Sequence, residues 1–203
     1  MVFNANEATQ AYIDGLGEQA LAQAAAYTSG SHWLMLWGLI VAMLVTLLVV
    51  RSGLLSHIAS GLEGRNFFIR GFCISAAFVV LSGIIELPWS IYSGWWREMS
   101  YGRTSQPLAD FLGQSGLGLA LNAVFMGLFF TAVYALIRWM GKLWWLWSGA
   151  LTASAVALLL LLGPIFIEPL FNEYNPVPEG EVREAVEALA IEANIPTDRI
   201  FMY

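Results

Sequence analysis

Charged side chains are scarce in this sequence. Asp, Glu, Lys and Arg together make up 12% of its 203 residues, whereas they make up about 25% of a typical soluble domain. Hydrophobic residues account for 58% of the chain, and its mean hydropathy is +0.66. This depletion of charge indicates that lipid rather than water is the main solvent. The composition therefore predicts an integral membrane protein.

Basic residues, cysteine and histidine are also rare. Nine Lys and Arg stand against 15 Asp and Glu, a formal net charge of −6, which argues against nucleic acid as a partner because nucleic acid requires a basic surface. A single cysteine, Cys73, excludes an intramolecular disulfide. The two histidines, His32 and His57, flank the first apolar run, and no HExxH, CxxC, phosphate-binding glycine loop or GxSxG motif occurs. The residues alone therefore predict no catalytic residue and no metal site in this chain.

What the sequence does contain is long apolar stretches. A membrane span requires about 20 predominantly apolar residues, and four stretches qualify, at about 33–50, 67–87, 117–137 and 143–167. Tryptophan favours the headgroup level of a bilayer, and all nine tryptophans fall at or near a proposed span end. They are Trp33, Trp37, Trp89, Trp95, Trp96, Trp139, Trp144, Trp145 and Trp147. We predict an all-α membrane protein with about four transmembrane helices, in a region covering residues 32–167.

The first 31 residues form a polar N-terminal tail. They contain no Lys or Arg and three acidic residues, whereas a secretory signal peptide begins with positive charge. A weak helical stripe predicts an interfacial helix within this tail, although Gly15 and Gly17 disfavour it. The stripe consists of Tyr12, Ile13, Leu16 and Ala20.

The orientation in the membrane has two interpretations. The short connections 51–66 and 138–142 carry most of the basic residues near the spans, and the positive-inside rule places such loops in the cytoplasm. An even number of spans then leaves both termini outside. The family resemblance described below implies the opposite side for the C-terminal tail.

Glu86 is an acidic residue within an otherwise apolar stretch. A carboxylate at membrane depth is costly and marks a functional site by default. The alternative is that Glu86 lies at the interface, at the level of Trp89, and only reaches water. Because Pro88 cannot donate a hydrogen bond to a helix, we expect the second span to stop or kink there. Residues 93–114 are then expected to form a polar loop, with a third helical region starting at about 107–112.

The C-terminal 36 residues, 168–203, have the pattern of a soluble domain. Pro164 and Pro169 mark the exit from the last span, and residues 175–180 predict a turn. A helix is predicted from about 179 to 193, because apolar residues recur on one face. A strand is predicted over 199–203, and no partner strand for it is evident in the sequence.

Two segments carry motifs of a known family. Residues 87–93, LPWSIYS, are followed by Glu98, Gly102 and Gln106. This order resembles the type I CAAX prenyl protease family, in which an LP-aromatic-S-hydrophobic-YS segment precedes an acidic pair, a GFN-like turn and a QT. The departures are Met99 for the second acidic residue, RT at 103–104 for Phe-Asn, and Pro107 for the Thr.

The second segment covers about forty residues. The stretch 164–172, PIFIEPLFN, precedes 176–182, PVPEGEV, and then the predicted helix, Ile195-Pro196 and Ile200-Phe201. This order is similar to the end of the membrane region in the same family, which continues through PLPEGEL, an amphipathic helix, a GFP-like turn and an IFV strand.

The resemblance implies a helical membrane chamber that feeds a zinc site on the cytosolic side. In the family, the two histidines of HExxH and a downstream glutamate hold zinc, and the motif's own glutamate is the general base. All of these residues follow the IFV strand, and members usually have one more span before the tail. The resemblance therefore implies that residues 168–203 begin an incomplete zinc metalloprotease domain. It also implies that zinc belongs to the complete protein and is not bound by this chain.

The leading interpretation is the membrane-spanning N-terminal part of a zinc-dependent metalloendopeptidase, inactive without its catalytic domain. Its partners are then the lipid bilayer, the missing catalytic domain and a peptide or membrane-protein substrate, prenylated or not, in a bacterial inner membrane. Candidate residues for the substrate chamber or for the domain contact are Glu86, Tyr92, Glu98 and Gln106. The alternative is a non-enzymatic membrane scaffold or regulator derived from that family, and a channel or transporter subunit is a third, weaker hypothesis because intramembrane ionisable residues are few.

Overall fold

The structure, a computed structural model, describes residues 5–172, 175–193 and 200–202. The chain divides into two compact units, Met1–Ala135 and Leu136–Tyr203. Helices dominate both units. Four of them are long and apolar enough to cross a membrane, namely Glu18–Arg51, Phe67–Ser100, Leu108–Trp139 and Gly141–Leu170. The prediction of four membrane helices is confirmed.

The first unit contains two N-terminal helices that are separated by Leu16 and Gly17. Helix α1 covers Ala5–Gly15 and α2 covers Glu18–Arg51. Gly17 between them has a φ of 80°, a backbone conformation that favours glycine. Helix α2 therefore starts well before the predicted span at 33–50. Its N-terminal half adds about 22 Å of helix, at ~1.5 Å per residue, to the predicted apolar segment.

A short helix, α3 (Leu54–Gly61), connects α2 to α4 (Phe67–Ser90). The side chain of Asn66 caps α4 by accepting a hydrogen bond from the backbone N–H of Phe68 at 3.0 Å. Helix α2 packs against α4, and α3 packs against both. With eight residues, α3 is only about 12 Å long and cannot span a bilayer.

Pro88 does not stop the second span, so of the two expectations, a stop or a kink, the stop is wrong. The α-helix continues through Pro88 to Ser90, a π-helical segment follows at Ile91–Trp96, and α5 covers Arg97–Ser100. Membrane helices tolerate proline when local π-helical adjustments and neighbouring groups satisfy the backbone. Residues 93–100, predicted to lie in a loop, are therefore helical. We call Phe67–Ser100 the long helix.

Helix α6 covers Leu108–Trp139 and packs closely against α4. Its start confirms the helical region predicted at about 107–112. The buried positions of α6 are small residues four apart, Ala123, Gly127, Thr131 and Ala135. A Cβ atom at Gly127 would lie 2.8 Å from Cε2 of Phe72 on α4. Close packing through small residues is what holds helices together where lipid provides no hydrophobic driving force.

The second unit contains α7 and a small α/β segment. After the end of α6, a 3₁₀ turn at Gly141–Leu143 leads into α7, Trp144–Leu162. A π-helical segment and a 3₁₀ turn follow, Gly163–Ile167 and Glu168–Leu170. Beyond them are β1 (Asn175–Pro176), α8 (Glu181–Glu192) and β2 (Phe201–Met202).

The C-terminal strand has a partner within the chain, contrary to expectation. Strands β1 and β2 are antiparallel, with Asn175 opposite Met202 and Pro176 opposite Phe201. Arg183 of α8 fixes the first strand by donating to the carbonyl of Val177 at 2.9 Å. The predicted helix at 179–193 is confirmed as α8. Ile195 and Pro196, which match the GFP-like turn of the family, and residues 199 and 203 of the predicted strand lie outside the described residues.

Candidate functional site

The four candidate residues do not line one chamber. Glu86 lies in α4, Tyr92 in the π-helical segment and Glu98 in α5. Glu86 lines a cavity between α4 and α6, whereas Tyr92 lines a different cavity between α2 and the long helix. Glu98 belongs to an ion-pair cluster, and Gln106 lies in the turn before α6. Three of the four candidates therefore lie in three separate environments along the C-terminal half of the long helix, and Gln106 lies in a fourth, beyond its end.

Arg97 is the centre of the ion-pair cluster. Only 9% of its side chain is exposed. Its Nη2 donates to the carbonyl of Tyr27 at 2.6 Å and to Oγ of Ser31 at 3.0 Å, and its Nη1 lies 3.3 Å from Oε1 of Glu98. A Cβ at Gly30 would lie 3.1 Å from Nη2, so the glycine leaves room for the guanidinium. Arg97 thereby joins α5 to the N-terminal half of α2.

Glu98 is equally well partnered. The hydroxyl of Tyr27 donates to its two carboxylate oxygens at 2.9 and 3.1 Å. Nε of Arg103 lies 3.1 Å from Oε2. Two guanidinium groups thus share one carboxylate, and the cluster carries a net positive charge. Charge-assisted hydrogen bonds of this kind are shorter and stronger than neutral ones.

Aromatic rings complete the cluster. The guanidinium carbon of Arg97 lies 4.2 Å from the ring centroid of Tyr27, and that of Arg103 lies 4.6 Å from the same centroid. The rings of Tyr27 and Tyr101 meet edge to face at 5.1 Å. Cation–π contacts within about 6 Å stabilise such an arrangement. The cluster therefore links α2 to α5, and each of its charged side chains has a partner.

An aromatic cavity of about 660 Å³ lies beside this ion-pair cluster, between α2 and the long helix. The rings of Tyr92 and Trp96 are stacked, with centroids 5.6 Å apart and an interplanar angle of 20°. Arg97 lies at the polar end of the cavity. Its other lining residues include Trp33, Leu34, Trp37, Trp89 and Tyr101. An apolar cavity with one charged end suits an amphiphilic ligand.

Glu86 lines a second cavity, of about 720 Å³, on the other side of Trp89. Its carboxylate has no hydrogen bond or ion pair with any of the described residues. Ser90, Ser93 and Ser115 line the same cavity. Trp89 borders both cavities, and its Nε1 would lie 3.8 Å from a Cβ on Gly38 of α2. It is therefore packed between helices, which weakens its use as a marker of the headgroup level.

Gln106 has a local role in the turn that precedes α6. Its carbonyl accepts a hydrogen bond from Nε1 of Trp95 at 2.8 Å, and its side-chain amide donates to Gln114 at 2.9 Å. Its backbone N–H donates to Oγ1 of Thr104 at 3.1 Å. These bonds fix the turn between α5 and α6.

The described residues do not fit a zinc ion. No group of three His, Cys, Asp or Glu side chains among them is placed to hold a metal. His32 lies in α2 and His57 in α3. Zinc in proteins takes at least three such ligands, so these helices offer no place for it.

Sequence reasoning missed Arg97, Tyr27 and Ser31. Arg97 directly precedes the candidate Glu98, and an arginine at the end of an apolar helix is a signal that could have been followed. Tyr27 and Ser31 were placed in a polar tail, whereas they lie four residues apart on α2. Their role depends on contacts with residues 66 to 71 positions away along the chain, which no local pattern reveals.

Residues 3–173 match the family described as CAAX prenyl protease N-terminal, five membrane helices. Among the curated relatives, the CAAX prenyl protease 1 homolog of Oryza sativa is 29% identical over 145 residues, 70% of this chain and 34% of the relative. The metalloprotease YhfN of Bacillus subtilis is 25% identical over 183 residues, 89% of this chain and 43% of the relative.

CAAX prenyl protease 1 of Saccharomyces cerevisiae is 25% identical over 172 residues, 82% of this chain and 35% of that protein. The chain thus spans between a third and a half of the length of these relatives. The described helices have four long members where the family description has five. Four apolar helices and a match over most of the chain lead to one conclusion: this integral membrane protein belongs to the CAAX prenyl protease N-terminal family.

Proposed function

We propose that this chain forms the membrane-embedded part of a zinc-dependent metalloendopeptidase, a wall of the chamber that receives the substrate. The match of residues 3–173 to the CAAX prenyl protease family carries this proposal. The two cavities beside Trp89 support it, because they give the membrane helices room for a ligand. Zinc and the residues that bind it then belong to sequence outside these 203 residues, and the chain alone hydrolyses no peptide bond.

Residues 168–203 begin the metalloprotease domain in this proposal. The pairing of β1 with β2 and the hydrogen bond from Arg183 to Val177 support a folded segment rather than a tail. The apolar residues Val182, Val186 and Leu189 share one face of α8 and are between 39% and 72% exposed. Such a face is suited to packing against the rest of a domain.

The substrates are peptides of membrane-associated proteins, including prenylated ones. The names of the relatives from rice and yeast support this class. In the structure, the aromatic cavity next to Arg97 supports an amphiphilic substrate. A bacterial inner membrane is part of the proposal, and the alignment of the relative from Bacillus subtilis over 89% of this chain supports a bacterial source.

The experiment is reconstitution of the complete gene product in proteoliposomes. Zinc content is measured by atomic emission, and cleavage is measured with a quenched-fluorescence peptide carrying a lipid anchor. We expect about one zinc ion per chain, and cleavage that a chelator abolishes and added zinc restores. The 203-residue chain, purified in parallel, is the control and should cleave nothing. Cleavage by this control, or a zinc-free and inactive complete protein, contradicts the proposal.

A non-enzymatic scaffold or regulator is the second candidate. It is favoured by the lack of an HExxH motif in the 203 residues and of a three-ligand metal group among the described ones. The coding region beyond Tyr203 distinguishes the two candidates. An open frame that contains HExxH supports the peptidase, whereas a stop codon directly after Tyr203 supports the scaffold.

A further inference from the structure

Glu86 lies well inside the apolar part of the long helix. Arg70 and Arg97 are the charged residues nearest to it on either side along this helix. At ~1.5 Å per residue, Glu86 is roughly 24 Å from Arg70 and roughly 16 Å from Arg97 along the axis. Because the helix continues to Ser100, Glu86 lies within the candidate span and not at its end. Burying a carboxylate at such depth requires a partner or a function.

The cavity beside Glu86 offers hydrogen-bonding groups that also lack internal partners. The hydroxyls of Ser90 and Ser115 line it and make no hydrogen bond with the described residues. A Cβ at Gly116 would meet no atom within 4 Å, so the space next to this lining residue is free of protein atoms. One carboxylate and two free hydroxyls therefore converge on a space of about 720 Å³.

The chemistry of this space selects a particular kind of ligand. A carboxylate without a cation attracts a positive charge, and hydroxyl groups accept hydrogen bonds from N–H donors. A bare divalent metal is disfavoured because it requires about six oxygen ligands, more than the cavity supplies. The remaining walls include Ile84, Leu112 and Leu119. Apolar walls next to a carboxylate suit a ligand with a long aliphatic chain that ends in a positively charged nitrogen.

We propose that Glu86, Ser90 and Ser115 form a subsite that binds the ammonium or guanidinium group of a basic side chain, Lys or Arg, of a peptide. The peptide as occupant rests on the proposed function, whereas the preference of the cavity for a cation does not. The subsite makes Glu86 a specificity residue: it adds affinity for peptides with a basic residue at one position and none for peptides with a neutral isostere there.

Cysteine labelling tests the preference for a cation directly. Ser115→Cys is introduced into a Cys73→Ser background, and the protein is placed in phosphatidylcholine nanodiscs. The reaction rate is measured with 2-aminoethyl methanethiosulfonate, a cation, and with 2-sulfonatoethyl methanethiosulfonate, an anion. We expect the ratio of cationic to anionic rates to exceed that at the exposed control Ser56→Cys by about tenfold, because a local negative potential concentrates cations.

Matched variants assign this ratio to Glu86. Glu86→Gln should lower the ratio at position 115 to that of the control, and Glu86→Asp should retain most of it. Glu63→Gln removes an exposed carboxylate and should change nothing. A ratio at position 115 equal to that of the control, or one that survives Glu86→Gln, overturns the proposal. If Glu86→Gln does not fold, Glu86→Asp and the control position decide alone.

A second arm tests the peptide. Two peptides that differ only in Lys or norleucine are added before labelling. The Lys peptide should protect position 115 at about tenfold lower concentration, and Glu86→Gln should abolish that difference. Equal protection overturns the peptide assignment, and protection by phosphatidylethanolamine instead identifies a lipid ammonium group. Failure of the complete protein to hydrolyse peptides contradicts the proposed function and leaves the labelling ratio unaffected.

Discussion

The long helix carries two charged sites that are close in sequence and opposite in character. At its end, Arg97 and Glu98 bind each other, the side chains of Ser31 and Arg103, and both the hydroxyl and the carbonyl of Tyr27. Eleven residues before Arg97, Glu86 lines a cavity and binds none of the described residues. The first site is occupied by the protein itself, and the second is available to something else.

The two sites differ in whether the protein itself pairs the charge: Arg97 and Glu98 have partners, and Glu86 has none among the described residues. The attraction in a buried ion pair offsets the free energy of desolvation only when hydrogen bonds satisfy the remaining donors and acceptors. The Arg97 cluster meets that condition. Glu86 does not meet it, because its carboxylate has no partner among the described residues, and the proposed ligand would supply one. The predictions below test whether stability follows the first site and ligand selection follows the second.

Arg97→Met should cause the largest loss. It removes the ion pair and both hydrogen bonds to α2, and it leaves Glu98 with fewer partners. We expect the free energy of unfolding to fall by about 3 kcal/mol, as when one partner of a buried pair is removed. Denaturation in mixed micelles, followed by tryptophan fluorescence, measures it. Arg103→Met, at a side chain that is 58% exposed, is the control and should cost less than about 1 kcal/mol. Equal losses would contradict a central role for Arg97.

Gly127→Ala tests the packing of α4 against α6, the two helices that line the cavity beside Glu86. The added methyl group would lie 2.8 and 2.9 Å from ring atoms of Phe72, and overpacking of this kind costs about 1–3 kcal/mol. The same unfolding assay measures the loss. Gly113→Ala is the matched control on α6, because a Cβ there meets no atom within 4 Å. Gly113→Ala should be neutral or stabilising by up to about 1 kcal/mol. If it lowers the free energy of unfolding as much as Gly127→Ala does, the close packing of α4 against α6 is refuted.

Tyr27→Phe removes the hydroxyl that donates to Glu98 and keeps the ring between the guanidinium groups. We expect a loss of about 1.5 kcal/mol, within the range for a hydrogen bond to a charged group. Tyr12→Phe, at a residue that is 71% exposed, is the control and should be silent in the same assay. If Tyr27→Phe leaves the free energy of unfolding unchanged, the aromatic rings rather than the hydroxyl stabilise the cluster.

Glu86→Gln should have the smallest effect on stability, within about 0.5 kcal/mol, because it breaks no contact with the described residues. In the complete protein it should alter the processing of substrate more than the zinc content. Cleavage assays and metal analysis on one preparation measure both. A parallel loss of cleavage and zinc would instead indicate a folding role for Glu86.

Much of the fold was predictable from the sequence. The four membrane helices follow from runs of apolar residues, and α8 follows from an apolar stripe of helical period. The predicted end at Pro88 failed because the π-helical segment at Ile91–Trp96 lets the helix continue. The partner of β2 was missed because β1 has only two residues, Asn175 and Pro176, which show no strand alternation.

The candidate site was predicted in part. Glu86 is a candidate from the sequence because it is a carboxylate in an apolar stretch, and the structure adds the cavity that it lines. Glu98 was named without its partners, because Tyr27 lies 71 positions away. Tyr92 and Gln106 lie in separate environments, since the helix that carries Tyr92 turns its side chain towards α2 while Gln106 fixes a turn.

By itself, the sequence determined that the protein lies in a membrane, how many long helices it has and which family motifs it contains. These properties depend on local composition and order, because lipid selects any sufficiently long apolar helix. Only the tertiary structure decided which charges are paired and which are not. Pairing depends on side chains brought together from distant positions, so that two residues of the same type differ: Glu98 is paired, whereas Glu86 has no partner among the described residues.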